Sequence, residues 1–468
     1  MKPLEFINEN KDNMLEDLRK LVSIPSVYDK STASDDNPFG EEIGNALKCI
    51  LSIGEKMGMQ TCNIDGYAGE ITAGEGEKLI GILGHIDVVA AGEGWKTNPF
   101  SMFSKEDKLY GRGTLDDKGA LLASLYAMKY LKDEGKINKD SSVKMIIGTD
   151  EEEGWRCIEY YKQRVKRLPD YTIVPDANFP AVTCEKGLLD IDFKYRIPEE
   201  DNDVKVISLS GGTARNIVPS KASVKLKCNN EKVANDISVY LQKFEKISFE
   251  HQSDEIKITA SGISSHAMSP EKGFNAISYL MQVLGKLAKF NDIENIYSTY
   301  NNYIGMAYYG EKFGCCFEDK LSGKLTFNVG TIQKEENTIV LSTSIRYPAT
   351  VEEEKVMGNL HKTCEMAGIQ MDIKSSMDAL FVDSDSKFVQ ILIDSYRRIT
   401  DDNQTAPLSM GGATYARSLP NAVAFGPLFP YEEEIAHEPN EFLSAGSLKT
   451  MTHIYIDALQ SLIYATSL

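Results

Sequence analysis

His85, Asp116, Glu152, Asp176 and His437 are spread along the chain, each inside a short and unusual local motif. Two imidazoles and three carboxylates are the donor types that two divalent cations can share, and such a pair of cations activates water for hydrolysis. Gly84-His85-Ile86-Asp87 sets an imidazole and a carboxylate two residues apart, so in an extended segment both face one side. His85 would bind a cation while Asp87 accepts its other ring N–H; the alternative is a structural His beside a turn Asp. Gly111-Arg112-Gly113-Thr114-Leu115-Asp116-Asp117-Lys118-Gly119 puts adjacent carboxylates on a turn entering a helix. Adjacent side chains diverge, so Asp116 can bridge two cations while Asp117 makes other contacts; a helix N-cap with an acidic first turn would use the same residues.

Thr149-Asp150-Glu151-Glu152-Glu153-Gly154 follows an apolar run, where unpaired carboxylates repel and raise one another's pKa. Divalent metal would relieve that repulsion, whereas an ordinary charge run is a solvated face. Asp176 in Val174-Pro175-Asp176-Ala177-Asn178 and His437 in Ala436-His437-Glu438-Pro439-Asn440 are, singly, ordinary loop residues. As a set, three carboxylates and a bridging hydroxide neutralise two divalent cations about 3.5 to 4 Å apart. The mixed N and O donors suit Zn first, with Mn or Co as alternatives, and no thiolate selects a softer ion.

The elements that must position these residues are also readable. Residues 78–84, 143–148 and 171–174 are short apolar or β-branched runs ending in polar clusters, the pattern of buried strands. Residues 117–130 carry a helical pattern between them, and strand, helix, strand predicts a parallel α/β sheet. The candidate ligands follow those strands directly, at the carboxyl ends where ligands gather in such sheets. From about Glu185 the texture changes to strands alternating with charged helices. One run reads strand 222–228, helix 231–244, strand 255–260; another reads strand 338–346, helix 351–367, strand 369–374. Their similar order predicts an inserted domain with two βαβ-like modules. After about Ala379 a helix at 387–399, a Gly-rich turn, a strand at 422–426 and a final helix from Leu443 return to an α/β pattern. For His437 to join the others this tail must fold back, so the expected division is a catalytic domain at 1–184 and 380–468 with a lid domain at 185–379.

The chain has 468 residues, beyond the size at which one core keeps growing, and 42% of them are hydrophobic. With 69 acidic against 51 basic residues the net charge is −18, which repels nucleic acid and anionic membranes. Residues 1–27 read as one amphipathic helix without a signal-peptide run, and no stretch nears the roughly 18 apolar residues of a membrane span. A soluble, cytoplasmic protein is the expectation. Cysteines 49, 62, 157, 184, 228, 315, 316 and 364 form no Cys-x-x-Cys pair and are expected reduced and mostly buried; adjacent Cys315 and Cys316, with no nearby His or second Cys pair, make a weak metal candidate and are read as core or loop packing instead.

In order, across nearly the whole chain, these motifs resemble the metallopeptidase family that includes acetylornithine deacetylase, succinyl-diaminopimelate desuccinylase, carboxypeptidases and aminoacylases. The segments GHIDVV, LYGRGTLDDKG and GTDEEEGW, with the length and the long insertion, look most like its PepV-type dipeptidases. The resemblance implies a discontinuous catalytic domain, with a mostly parallel central sheet flanked by helices, and an inserted α+β lid. It implies that His85, Asp116, Glu152, Asp176 and His437 ligate two metals with Asp116 bridging, and that Asp87 supports His85. It implies Glu151 as general base toward the metal-activated water and then toward the leaving amine. Ser264-Ser265-His266-Ala267-Met268-Ser269-Pro270 resembles the segment whose His contacts the substrate carbonyl, which would give His266 the oxyanion.

Arg215-Asn216-Ile217-Val218-Pro219 and Ser344-Ile345-Arg346-Tyr347-Pro348 resemble further substrate segments. They imply Asn216 beside the reacting carbonyl and Arg346 on a free carboxylate, which Arg can bond bidentately. The segment that opens with Gly411 and Gly412 resembles a Gly-rich substrate loop, with Ala413 where relatives carry a third Gly. The implied activity is hydrolysis of dipeptides or very short peptides. Removal of an N-acyl group from an amino acid is the alternative, and a peptide-binding relative without catalysis is a third reading that the intact Glu151 opposes. In smaller relatives the substrate His comes from a partner subunit; two modules in one insertion imply an active monomer.

Overall fold

The apolar run after Lys78 forms the strand Lys78–His85, and the next one forms Ser141–Gly148; both are buried on both faces, as central strands of a covered parallel sheet must be. In this computed structural model, which describes residues 1–466, the chain divides into two units. The first comprises Met1–Thr183, Val382–Leu408 and the chain from Ala413 onward; the second comprises Cys184–Phe381 with Ser409–Gly412.

Within the first unit, Lys78–His85 runs parallel to Ser141–Gly148 and to Tyr171–Val174, and Tyr171–Val174 runs parallel to Ala422–Ala424. His85 stands opposite Gly148, so those two strands end together, and with Ile82 opposite Ile173 the third strand, Tyr171–Val174, ends two positions earlier. Ala68–Gly74 and then Gln60–Ile64 extend the sheet antiparallel at one side. The helix Lys118–Asp133 packs against Ala445–Tyr464, which packs in turn against Lys387–Thr400. The fold is therefore mixed α/β with a mostly parallel central sheet.

The tail is tied to the first third by three pairings. Ala422–Ala424 joins the sheet beside Tyr171–Val174, Pro427–Leu428 pairs with Ala177–Asn178, and Phe442–Ser444 pairs with Lys108–Tyr110. The last two fix the tail beside Asp176 and beside the loop that carries Asp116. The expected single N-terminal helix is corrected to two, Pro3–Glu9 and Lys11–Val22. Asn10 at the junction leaves helical geometry and its side chain donates to the Phe6 carbonyl at 2.9 Å, closing the first helix.

The second unit holds an eight-stranded sheet in which every neighbouring pair is antiparallel. Its order is Ile247–Gln252, Glu255–Ser261, Lys221–Cys228, Val204–Gly211, Thr326–Glu335, Thr338–Tyr347, Gly187–Arg196, Ile369–Met377. The helix Glu231–Leu241 links Lys221–Cys228 to Ile247–Gln252, two parallel strands with Glu255–Ser261 between them. The helix Glu353–Ala367 links Thr338–Tyr347 to Ile369–Met377 in the same way around Gly187–Arg196. Both modules are thus split βαβ units. The expected direct step from helix 231–244 to strand 255–260 is corrected by the intervening strand Ile247–Gln252. At the sheet edge its residues alternate between half-buried and exposed, so its sequence ISFEHQ lacks the apolar run that marked the others.

All eight cysteines are free thiols, five of them buried. Gly148 ends its strand where the ring of the fully buried Tyr415 lies, and a Cβ there would come within 2.5 Å of the hydroxyl. Gly148→Ala should therefore destabilise the first unit by about 1–3 kcal/mol through overpacking. Urea unfolding checks this, and an unchanged midpoint would show that Tyr415 yields.

Candidate metal centre

Three strand ends and two loops converge on one polar cluster in the first unit. His85, fully buried, is the last residue of Lys78–His85, and its backbone N–H donates to Asp117 Oδ2 at 3.2 Å. Gly84 has to be glycine for this, because a Cβ would meet that carboxylate oxygen at 2.4 Å. His85 Nδ1 faces the Asp87 backbone carbonyl at 3.0 Å, and Nε2 faces Asp116 Oδ1 at 3.0 Å and Asp176 Oδ1 at 3.9 Å. Asp116 turns its other oxygen to His437 Nε2 at 2.9 Å, and Glu152 Oε2 lies 3.2 Å from the same nitrogen. One donor atom each of His85, Asp116 and Glu152 lie within 4.8 Å of one another, as do those of His85, Glu151 and Asp176.

Asp87 does more than the sequence suggests. Its carboxylate lies 3.5 Å from His85 Nδ1, farther than its own carbonyl, while its Oδ2 accepts the Glu152 backbone N–H at 3.0 Å. It therefore ties one strand end to the next.

The electrostatics show what this cluster needs. Burial, reinforced by the charge of Asp176, pushes Glu151 well above the ordinary carboxyl range. Burial and then Asp116 push Glu152 up to about 7, and burial raises Asp176 and, further, Asp117. Burial opposes protonation of His85, but Asp116, Asp176 and Asp87 overcome it and hold the imidazole well above its usual value. His437 is raised to about 11 by Asp116 first and Glu152 second. Asp116, although desolvated, is held far below its usual value by the two imidazoles that bond it. Buried oxygens of Asp87 and Asp117 have no hydrogen-bond partner. Crowded, desolvated carboxylates and orphaned oxygens are the signature of a cation-binding cage. The N and O donors fit divalent ions, and the near thiol, Cys157, bonded to Tyr415 and pushed up by burial to about 12, supplies no thiolate.

A support that the sequence reading missed joins the two loops. Arg112 and Glu441, each about 1% exposed, form an ion pair at 2.6 Å. Glu441 Oε1 accepts the backbone N–H groups of Leu115 at 2.9 Å and Asp116 at 3.3 Å. Arg112 Nη2 donates to the carbonyl of His437 at 3.1 Å. His437 and Asn440 both have φ near +67°, a left-handed backbone that non-glycine residues hold only when their surroundings impose it. The signal was present in GRGTLDDKG and HEPNE, but nothing in one sequence pairs residues so far apart.

Other sequence candidates lie in the second unit. The Asn216 and His266 segments pair with each other, through an Ile217–His266 bridge and the Ala267 N–H on the Asn216 carbonyl at 2.8 Å. His266 and Asn216 are exposed, while Arg346 is buried and donates to the Gly411 carbonyl. The expected glycine loop is divided, with Gly411 and Gly412 in the second unit and Tyr415 buried in the first.

Removing one member of the Arg112–Glu441 pair strands a buried charge. Glu441→Leu should cost about 3–5 kcal/mol of stability, and the Arg112→Met/Glu441→Leu double variant less. Denaturant unfolding checks both, and a single variant as stable as the parent would show that the pair is not holding the loops.

Residues 81–461 match the profile of peptidase family M20/M25/M40. A protein of Staphylococcus aureus strain bovine RF122, provisionally named a dipeptidase, is 35% identical over 466 residues, covering 98% of each chain. Among solved structures, human carnosine dipeptidase 1 superposes with a TM-score of 0.60 at 14% identity, over 99% of this chain and 98% of that one. An M20 family metallo-carboxypeptidase from Sulfolobus solfataricus gives a TM-score of 0.58 at 18% identity, over 97% and 99%. These two share the fold, and the matched profile, spanning every residue that builds the cage, makes this chain a member of peptidase family M20/M25/M40, a family of metal-dependent hydrolases.

Proposed function

We propose that this chain hydrolyses the peptide bond of dipeptides or very short peptides, with two divalent cations held by His85, Asp116, Glu152, Asp176 and His437. The observation that carries it is the shared carboxylate: Asp116 offers one oxygen to the His85 side of the cage and the other to the His437 side. Bound there, Zn, Mn or Co would polarise the substrate carbonyl and acidify water. Glu151 takes the proton of the attacking water and delivers it to the leaving amine nitrogen. Donor atoms of Glu151, His85 and Asp176 within 4.8 Å of one another support a base close to that water. Asp87 holds His85 and the Glu152 backbone in one orientation.

In the second unit, read as the lid, His266 and Asn216 serve the carbonyl oxygen, Arg346 the free carboxylate, and Gly411 with Gly412 the backbone of the substrate. The paired Asn216 and His266 segments support a common task. Two split βαβ modules in one sheet support a chain that works as a monomer. No helix among the described residues is long and apolar enough to cross a membrane, and eight free cysteines agree with a cytoplasmic setting. The dipeptidase name of the relative 35% identical to this chain favours dipeptides over N-acyl amino acids.

Glu151→Ala should lower kcat by roughly a hundred- to ten-thousandfold while elemental analysis still finds two divalent ions per chain. Unchanged turnover would remove Glu151 from the mechanism. Chelation should abolish activity, and Zn, Mn or Co added separately should restore it. Faster release of amino acids from N-acetyl amino acids than from dipeptides would move the substrate assignment to the deacylase reading.

A further inference from the structure

We propose that Trp155 is a positioning residue for Glu151: its indole N–H holds one carboxylate oxygen so that the other faces the reacting proton. This rests on the reading of Glu151 as the base. Trp155 Nε1–H donates to Glu151 Oε1 at 3.0 Å. A carboxylate on a flexible three-bond side chain otherwise turns freely, and a base that must receive a proton from water and return it to nitrogen gains from a fixed aim. With Oε1 engaged, Oε2 is the atom that accepts the proton as the new carbon–oxygen bond forms, and that releases it as the carbon–nitrogen bond breaks.

The backbone carries an independent mark of this role. Trp155 has φ 58° and ψ 16°, the left-handed region, in the residue that precedes the helix Arg156–Arg164. A bulky aromatic residue is strained there, and such strain persists where surrounding contacts impose it. Those contacts are present. The Trp155 backbone N–H donates to the Asp150 carbonyl at 2.7 Å, while the Asp150 carboxylate accepts from Arg156 N at 3.0 Å, Nε at 2.8 Å and Nη2 at 2.7 Å. The indole packs edge-on against the buried Tyr415 ring, centroids 5.3 Å apart, and that ring meets His85 edge-on at 6.3 Å. Cys157 Sγ and the Tyr415 hydroxyl, 2.8 Å apart, close the support from behind. One aromatic wall therefore backs both the first ligand and the base.

Trp155→Phe keeps a ring against Tyr415 and removes the donor. In the metal-loaded enzyme kcat should fall roughly ten- to a hundredfold, the worth of one hydrogen bond to a charged acceptor. KM for the dipeptide and the metal content should stay unchanged, a split that general loosening of the fold would not produce. A second measurement is independent of that variant's folding. The chain has two tryptophans, and the other indole, of Trp95, donates to the Ala91 carbonyl at 2.7 Å. In ¹⁵N-labelled metal-loaded protein, Glu151→Ala should move one indole N–H resonance upfield and leave the other in place. Unmoved indole resonances, or an unchanged kcat in folded Trp155→Phe beside an inactive Glu151→Ala, would overturn the positioning role alone. Full turnover in Glu151→Ala would overturn the base assignment and this proposal with it.

Discussion

Burial of more negative charge than the protein can neutralise is the constraint on which the first unit turns. Asp87, Asp116, Asp117, Glu151, Glu152 and Asp176 crowd around two imidazoles at the ends of parallel strands. Two like charges 4 Å apart repel by about 4 kcal/mol even at an effective dielectric near that of a protein surface. Hydrogen bonds to His85 and His437 relieve Asp116, while Asp117, Glu151, Glu152 and Asp176 hold protons more tightly, chiefly because they are buried. Protonation is one way out and divalent cations are the other. Cations held there would offset that negative charge, so the repulsion among the carboxylates would be converted into affinity for metal.

Such a cage is useful only if its walls do not collapse, and the sequence spends its least replaceable residues on that. Asp117 fills the space beside Gly84 and accepts the His85 N–H, so strand and helix start are locked by one carboxylate. Lys118, next in sequence, is fully buried and donates to the carbonyls of Leu21 and Ile24 at 2.9 and 2.8 Å, anchoring that helix to the N-terminal segment; burial drives its amine down to about 7. The Arg112–Glu441 pair is best understood as registration. A buried ion pair gains little net stability over apolar packing, but this one bonds backbone groups on both ligand loops, which apolar side chains cannot do.

The parts legible in the sequence are those whose physics is local. Strands at 78–85 and 141–148 are near-continuous apolar runs cut off by polar clusters, and only a sheet covered on both faces allows that pattern. Unusual local composition marked the candidate ligands for the same reason, since acidic residues rarely follow a buried strand without a partner. What stayed hidden depends on distance or on backbone angle. Arg112 and Glu441 look like ordinary surface charges until Phe442–Ser444 pairs with Lys108–Tyr110. Trp155 was visible in GTDEEEGW, but its contact with Glu151 follows from a left-handed φ that no residue type announces. The N-terminal helix break at Asn10 and the edge strand Ile247–Gln252 were missed because neither is marked by proline, glycine or an apolar run.

The second unit carries its own argument about how one chain makes a long sheet. Reading from either edge toward the middle, each half offers two parallel strands joined by a helix, an antiparallel strand slotted between them, and a fourth strand that meets its counterpart at Val204–Gly211 and Thr326–Glu335. The halves differ in chain order. The slotted strand Glu255–Ser261 follows its parallel pair, whereas Gly187–Arg196 precedes its own by more than a hundred residues. A sequence comparison that assumes one order therefore sees only weak repetition, while the geometry repeats. The central junction is short, with register from Ser210 opposite Gln333 to Gly211 opposite Ile332, against ten paired positions between Gly187–Arg196 and Thr338–Tyr347. The core does not stop at that seam: the helix Ala276–Leu287 packs on Lys221–Cys228 and Glu255–Ser261 of one half and on Thr326–Glu335 of the other, so one apolar core holds together two halves that share few backbone hydrogen bonds.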